Sequence, residues 1–549
     1  MDLKVFIQSN RMYLVASLLL FLFLLMSVTL IYVPNRVIKV EENGDLQLLL
    51  KDNNLNPKQN NKVLKVGDLY LLSSSKGNYI KALQDLNEQE DGLILSFESG
   101  DIALQSNNEV KLIHFSNWLE RLSLACIISL VFFYFVKKQI SYKLILILLG
   151  AFFLVYTLMN PPFNAYDEYQ HFDIINSLVK YCEYPDKGAT LNRNDLEKIA
   201  HSGISDLQNH EVSQPPLYYL ITAGLTKFMG LVDDVKAHFY LSRILSAIYV
   251  FLGVLFILHT VPKHERFLLI LITGIFLSTA VLCKNFLAIN NDPLLFLFNA
   301  LILYFVMKWE DLIRQSIPNQ LVLGLLFGAI FLTKLTGVSM IVAFGAVLLY
   351  DRKLSKNYMV FLSCGLYASV WFIYNFLQYD TAVLTDYHAE IIIPSEDRRS
   401  RRLHFIEILY CCSRSFAWGW FDEFGSLKNR LKMKELINYP LNLASWIAVG
   451  VTTFNIFRKK EEVRLLLKVG VTSLFSLFFL LVYISFTTPL IAVNVQRYYY
   501  FLAPWMITIV YYFYKELFYK YKKIGTIVLL FILFINITDI LVWLMYHTM

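Results

Sequence analysis

Apolar blocks of about 16–23 residues recur along this chain from residue 12 to residue 545. A helix rises 1.5 Å per residue, so each block is long enough, or nearly so, to cross the roughly 30 Å hydrocarbon core of a bilayer. Thirteen spans are expected, at approximately 12–33, 119–136, 144–159, 243–261, 267–283, 293–308, 319–334, 335–350, 357–377, 441–457, 464–485, 498–516 and 524–545. Of 549 residues, 56% are hydrophobic and only 17% charged, too few charges to cover a soluble surface of this size. The 43 Phe and 34 Tyr exclude a disordered chain. The expected fold is an all-α polytopic membrane protein, with its chemistry in the loops and in polar residues at span ends.

The net charge of +7 does not point to nucleic acid, because the basic residues lie in short stretches beside apolar blocks. Such stretches report orientation. Lys137-Lys138 through Lys143, Lys263 through Arg266, Arg458-Lys459-Lys460 and Lys515 through Lys523 should all be cytoplasmic. One apolar stretch, 215–229, decides whether they agree. If it spans, the Lys263–Arg266 loop falls outside; if it lies along the surface or enters part-way, all four loops fall inside. The second reading places the protein in the plasma membrane with its N-terminus cytoplasmic and its C-terminus outside.

Residues 1–33 then form a retained anchor, and 34–118 an extracytoplasmic β-rich insertion, read from alternation such as Gly92-Leu93-Ile94-Leu95-Ser96-Phe97. Residues 119–143 supply a second span and a cytoplasmic loop. Residues 144–549 form the transmembrane core, with outer loops 160–242 and 378–440. The six cysteines include no CxxC pair, so neither a zinc site nor a disulfide framework is supported.

Charges at the outer ends of spans are the candidates for chemistry. Asp167 and Glu168 follow Pro161-Pro162, which block continuation of the preceding helix. Two carboxylates at a membrane edge suit catalysis; the plainer reading is that Asp167 caps the next helix. Adjacent helical residues point about 100° apart, so the two should not do the same job. His171 is within helical reach of either. Asp-Glu-x-x-His lacks the first His of a zinc-protease helix.

Gln214-Pro215-Pro216-Leu217-Tyr218-Tyr219 reads as a helix start with an interfacial aromatic belt. Asp292, in Asn290-Asn291-Asp292-Pro293, opens another span. Lys334 stands between two apolar blocks, against the positive-inside trend, and invites an anionic partner; snorkelling is the alternative. Arg497 lies at a further outer boundary and suits phosphate. The run Asp397-Arg398-Arg399-Ser400-Arg401-Arg402 reads as a solvated loop.

No GxxxxGK[ST] or GxGxxG motif is present. Activated nucleotides are generally unavailable outside the cell. A transferase working there needs a donor that arrives through the membrane already activated, and a polyprenyl-phosphate sugar meets that need.

Several of these residues together resemble a family. Pro161-Pro162, Asp167-Glu168-x-x-His171-Phe172, Gln214-Pro215-Pro216-Leu217-Tyr218-Tyr219, Arg243-x-x-Ser246, Asn291-Asp292, Ser415-Phe416 with Trp418-Gly419, and Gln496-Arg497-Tyr498 look like the bacterial multi-pass family catalogued as domain of unknown function 2142. The resemblance covers about residues 144–520. That family usually has Pro-Ala where this chain has Tyr169-Gln170. It is grouped with the GT-C glycosyltransferases, which include protein O-mannosyltransferases and lipid A aminoarabinose transferases. In GT-C enzymes the first outer loop holds a catalytic Asp, and amphipathic helices precede the next span.

The resemblance implies a GT-C-like core and an inverting glycosyltransferase. It would take sugar from a polyprenyl-phosphate donor to an acceptor of the cell envelope, among membrane lipids. Asp167 would be the general base. Lys334, Arg497 and Arg243 would meet the donor phosphate. Glu168, Asp292 or His171 would orient the acceptor or hold a divalent metal, Mg or Mn. Two rivals stand beside it. A flippase of lipid-linked glycans would show polar residues deep within several spans. A non-catalytic envelope assembly or sensor protein would use 34–118 as its binding module.

Overall fold

The alternation in 34–118 corresponds to seven antiparallel strands: β1 Arg36–Val40, β2 Leu46–Leu50, β3 Leu69–Ser74, β4 Gly77–Gln89, β5 Gly92–Phe97, β6 Gly100–Gln105 and β7 Val110–His114. The computed structural model describes these strands, most of 141–379, most of 502–537, and a few residues near 130 and 470. The chain divides near residue 140 into two units.

In the first unit the strand order is β2-β1-β7-β3-β4-β5-β6. Ser74 pairs with Gly77, Gln89 with Gly92 and Phe97 with Gly100, so two-residue connections join β3 through β6 as successive hairpins. β4 serves two neighbours: its first half pairs with β3, its second with β5, and the register shifts between Leu83 and Asp85. Such an irregularity lets one long strand bend. Register aligns Leu86, Leu95 and Ile102 on one face, as the period-two pattern requires.

The second unit is helical. α1 (Tyr142–Met159) is apolar on every side; it buries Phe152, Phe153 and Tyr156 and leaves Ile147, Leu154 and Leu158 exposed. That is the distribution of a helix packed on one face and lipid-facing on the other. Two short helices follow, α2 (Glu168–Tyr181) and α3 (Arg193–Glu197), and then a 3-10 turn at His210–Ser213. α4 (Leu217–Phe228) has twelve residues and rises about 18 Å, well short of a bilayer core. It buries Tyr218, Tyr219, Thr222, Ala223 and Thr226, and exposes Leu220, Leu225 and Phe228. Tyr218 and Tyr219 are thus core residues, where a surface belt was expected.

α5 (Val235–His259) begins eight residues before the expected span, because the Asp234 side chain caps it through the amides of Lys236 and Ala237. Arg243 therefore lies two turns inside the helix, and does not open it. The block expected at 267–283 is two helices, α6 (Arg266–Leu277) and α7 (Ala280–Phe286). α8 (Asp292–Met307), α9 (Ile317–Thr333), α10 (Val338–Tyr350), α11 (Tyr358–Tyr379) and α12 (Ala503–Lys520) follow.

Among the described residues, Tyr142–Met159, Val235–His259 and Met359–Tyr379 are long and apolar enough to cross a membrane. Arg266–Leu277, Asp292–Met307 and Ile317–Thr333 are apolar but shorter, so thirteen full spans are not reproduced there. The anchor at 12–33, the spans at 119–136, 441–457 and 464–485, and the outer loop 378–440 lie wholly or mostly outside the described residues.

Two devices hold the elements that carry the candidate residues. α9 docks on α11 through Gly324 and Gly328, four residues apart. A methyl group on Gly324 would run into the Val360 carbonyl and the Ser363 hydroxyl, and one on Gly328 would press on Tyr367. Small residues at this spacing let membrane helices approach closely. On the other side, the loop after α2 is pinned back onto it. Asp195 accepts from Lys180 (2.6 Å), Lys198 (2.8 Å) and Asn176 (2.9 Å). Asn209 donates to Asp173 (3.0 Å) and to the Gln170 carbonyl (2.9 Å).

Burial opposes ionisation of Asp195, but the hydrogen bonds from Lys180, Lys198 and Asn176 outweigh it and hold the carboxyl down at about 2. Asp173 moves the other way, raised mainly by burial. A depressed carboxyl stabilises fully above its unfolded value near 3.8, and the gain is lost as pH falls through about 2. Against an Asp195→Asn variant, the native chain should therefore lose about 2 kcal/mol of stability between about pH 4 and pH 2. Denaturant unfolding of both proteins in detergent measures this.

Candidate functional site

The segment between α1 and α2 has an unusual backbone. Proline at 161 and 162 ends α1, and Asn160 is already extended. Phe163 (φ 60°) and Asp167 (φ 56°) both take the left-handed conformation. Asp tolerates that region; a bulky aromatic residue rarely does. Phe163 is held there by edge-on packing against Tyr169 and Phe239, at ring separations of 6.2 and 5.4 Å. Asp167 precedes α2, and its carbonyl accepts from the amides of Gln170 and His171, both at 3.0 Å. Its half-buried carboxylate makes no capping bond to the helix. A side-chain cap needs an extended residue at that position, and the left-handed turn removes this geometry.

Glu168, one residue on, is in the opposite situation. It has no exposed surface, and neither has Arg243 of α5. Arg243 grips it with two bonds, Nε to Oε1 at 2.8 Å and Nη2 to Oε2 at 2.7 Å. The Ile289 amide also donates to Oε1, at 3.1 Å. The other guanidinium bonds go to carbonyls at the end of α1: Thr157 (3.4 Å), Asn160 and Pro161 (2.9 Å). A helix end leaves such carbonyls without intrahelical donors, and a cation there also matches the helix dipole. The Phe239 ring lies 4.5 Å beneath the guanidinium. Arg243, expected at a phosphate, and Glu168, expected at an acceptor or metal, meet each other.

A second buried pair stands nearby in the chain. Asp292 opens α8, and Lys334 follows the last residue of α9; they bond at 2.5 Å with 1% and 7% of their side chains exposed. Lys334 is buried in an ion pair, which is not the snorkelling geometry. The four-residue segment 289–292 joins the two pairs, since Ile289 touches Glu168 and Asp292 holds Lys334. Within it Asn291 is 1% exposed, and neither polar atom of its side chain has a hydrogen-bond partner among the described residues. The buried Thr336 hydroxyl, two residues after Lys334, is in the same condition. Buried groups left this way in a native structure call for an explanation, and a ligand is one.

His171 lies on a third cluster. Its Nδ1 is 2.8 Å from the Tyr219 hydroxyl, the two rings stack, and its Nε2 is 3.7 Å from Glu211. Tyr184 seals this cluster and donates to the Gln214 carbonyl at 3.0 Å. Burial, then the charge of Glu211, push the Tyr184 hydroxyl well above its usual range. Glu211 carries no signal in the sequence; it sits in a loop of mixed polarity and is recognised only by what it faces. Ser246, one turn after Arg243, meets the Tyr218 hydroxyl at 3.3 Å.

The residues of the resemblance therefore interlock. Pro161, Glu168 and Arg243 form one contact set, Tyr218 and Ser246 a second, His171 and Tyr219 a third. Arg497, Ser415, Phe416, Trp418 and Gly419 lie outside the described residues.

A divalent metal does not fit what is present. Among the described residues no three His, Cys, Asp or Glu side chains come together. The two carboxylates placed to assist Asp167 are each engaged by a cation, Glu168 by Arg243 and Asp292 by Lys334.

No family model matches this chain, and no curated protein sequence matches it. Among solved structures it is similar to an oligosaccharyltransferase from Archaeoglobus fulgidus, crystallised with zinc and sulfate. The TM-score is 0.43 and the identity 11%, over 72% of this chain and 52% of that one. It is also similar to ArnT from Cupriavidus metallidurans bound to undecaprenyl phosphate, with a TM-score of 0.39 and 13% identity over 73% of this chain and 77% of that one. The chain spans about half the length of the oligosaccharyltransferase.

The Asp292–Lys334 pair makes a direct prediction. Removing one partner of a buried pair strands the other charge and costs about 3–5 kcal/mol, whereas replacing both is often neutral. Lys334→Met should lower stability in detergent by that amount, and Lys334→Met with Asp292→Leu should recover most of it. A double variant as unstable as the single one would contradict the pairing.

Proposed function

We propose that this protein is a membrane glycosyltransferase that moves a sugar from a polyprenyl-phosphate donor to a hydroxyl acceptor at the outer face of the membrane. The observation that carries the reading is the contrast between adjacent carboxylates. Glu168 is sealed and neutralised by Arg243, while Asp167 is half-buried, held on a strained turn and not used as a cap. Strain of this kind persists only where surrounding contacts enforce it, and it clusters at functional sites.

In this reading Asp167 takes the proton from the acceptor hydroxyl. The acceptor oxygen bonds to the anomeric carbon of the sugar. The bond from that carbon to the phosphate oxygen breaks, and its electron pair leaves with polyprenyl phosphate. A single displacement inverts the anomeric centre. The leaving group is already a stable anion, so no general acid is needed, unlike ordinary glycoside hydrolysis. Lys334, oriented by Asp292, stabilises the charge that develops on the phosphate, and Arg497 joins it. The unsatisfied amide of Asn291 and hydroxyl of Thr336 add uncharged donors beside Lys334.

The test uses the full chain in lipid nanodiscs with polyprenyl-phosphate glucose, mannose and galactose and a cell-envelope extract as acceptor, read by release of polyprenyl phosphate. Asp167→Asn keeps the size of the side chain and removes its basicity. Release should fall about 10²- to 10⁴-fold, with thermal stability unchanged. Native release from the Asp167→Asn protein would leave Asp167 without a catalytic role.

A further inference from the structure

We infer that Arg243 and Glu168 are positioning residues that hold Asp167 in its working geometry; this rests on the reading of Asp167 as the base. A helix start needs only the amides and carbonyls of its own first turn. This one has far more. Glu168 is the first residue of α2, and it is clamped from a helix 75 residues further along the chain. The same guanidinium takes the carbonyls of Thr157, Asn160 and Pro161, so one side chain grips both ends of the connection 160–168. Between those grips lie the two left-handed residues, Phe163 and Asp167. Phe239, one turn before Arg243, packs against both the Phe163 ring and the guanidinium.

Position in the chain explains the effect. Shifts of Asp167 along or around the axis are restricted because its neighbour Glu168 is tied at its carboxylate by three hydrogen bonds, two to Arg243 and one to Ile289. Lysine could not replace Arg243, because a point ammonium cannot bridge a carboxylate in two bonds and reach three carbonyls. The pair is also costly to bury, and an apolar pair of similar volume often serves stability as well. Retaining charges where no water reaches them is accounted for by geometry at Asp167, because the carboxylate and the carbonyls have fixed directions that an apolar contact lacks.

The double variant Glu168→Leu/Arg243→Met separates positioning from simple stabilisation. Neither side chain leaves an unpaired charge, although the carbonyls of Thr157, Asn160 and Pro161 and the Ile289 amide lose their partner, so thermal stability in nanodiscs should fall less than in either single variant. Two measurements then follow. Hydrogen exchange reads the Gln170 and His171 amides, which bond to the Asp167 carbonyl. They should exchange at least about 10-fold faster in the double variant, whatever the activity. Release of polyprenyl phosphate should show kcat lowered about 10- to 100-fold with KM within about twofold, the signature of a displaced group.

Unchanged exchange at these two amides overturns the inference, whether or not the protein transfers sugar. Faster exchange with native kcat also overturns it, since the pair would then order the backbone without serving catalysis. If Asp167→Asn is itself fully active, the base reading fails, and the exchange result alone reports whether the clamp sets the local geometry. A double variant that does not fold is replaced by Arg243→Lys, which keeps the charge and loses the fork. It should show the same faster exchange and the same fall in kcat.

Discussion

The bidentate bond between Arg243 and Glu168 is the contact on which this end of the helical unit depends. Every nitrogen of the guanidinium is engaged, and its partners come from α1, from the turn that follows it and from α2. The carboxylate adds the amide of Ile289, just before α8. Two charges without solvent access are stable only when the remaining hydrogen-bonding capacity is also satisfied. Here it is met by carbonyls that α1 would otherwise leave open. The desolvation cost of the pair is offset by the same groups that needed a donor at that helix end.

Around this contact the polar residues form separate layers, each with a different balance of charge and access. Glu168 and Arg243 are closed to solvent, Asp292 and Lys334 nearly so, and Asp167 is half-buried beside them. Further out, Asp195 gathers two lysines and two asparagines and ties the loop to α2. At the corner between α5 and α6, Glu265 accepts from Tyr511 and Lys515 of α12; burial opposes ionisation there, but those bonds lower its carboxyl below the usual range. Ion pairs thus fasten the helices at their ends, while glycines and aromatic rings fasten them along their lengths.

Much of the candidate site was legible because a charged residue at the edge of an apolar block stands out. Asp167, Glu168, Asp292 and Lys334 were all identified on that ground. Their roles were less legible. Glu168 and Arg243 are 75 residues apart and Asp292 and Lys334 are 42 apart. No local pattern says which cation meets which carboxylate. The capping alternative for Asp167 was reasonable from residue type, and only the sign of its φ removes it. Tyr218 and Tyr219 looked interfacial because tyrosine favours membrane boundaries. They are buried because Ser246 and His171 offer partners for their hydroxyls.

By itself the sequence determined that this is a helical membrane protein with an alternating, strand-forming segment near its start, because apolar length and period are properties of local composition. It determined which charges stand at the ends of apolar blocks and where proline must stop α1. It did not determine where α5 begins, since a single capping aspartate extends that helix by two turns, or that the block at 267–283 breaks in two. Only the tertiary structure decided that Glu168, of the two adjacent acids, is the one that Arg243 grips. That choice is made by side-chain geometry across helices: a planar fork with five donors fits one carboxylate and three stranded carbonyls at once, and only packing brings them within reach.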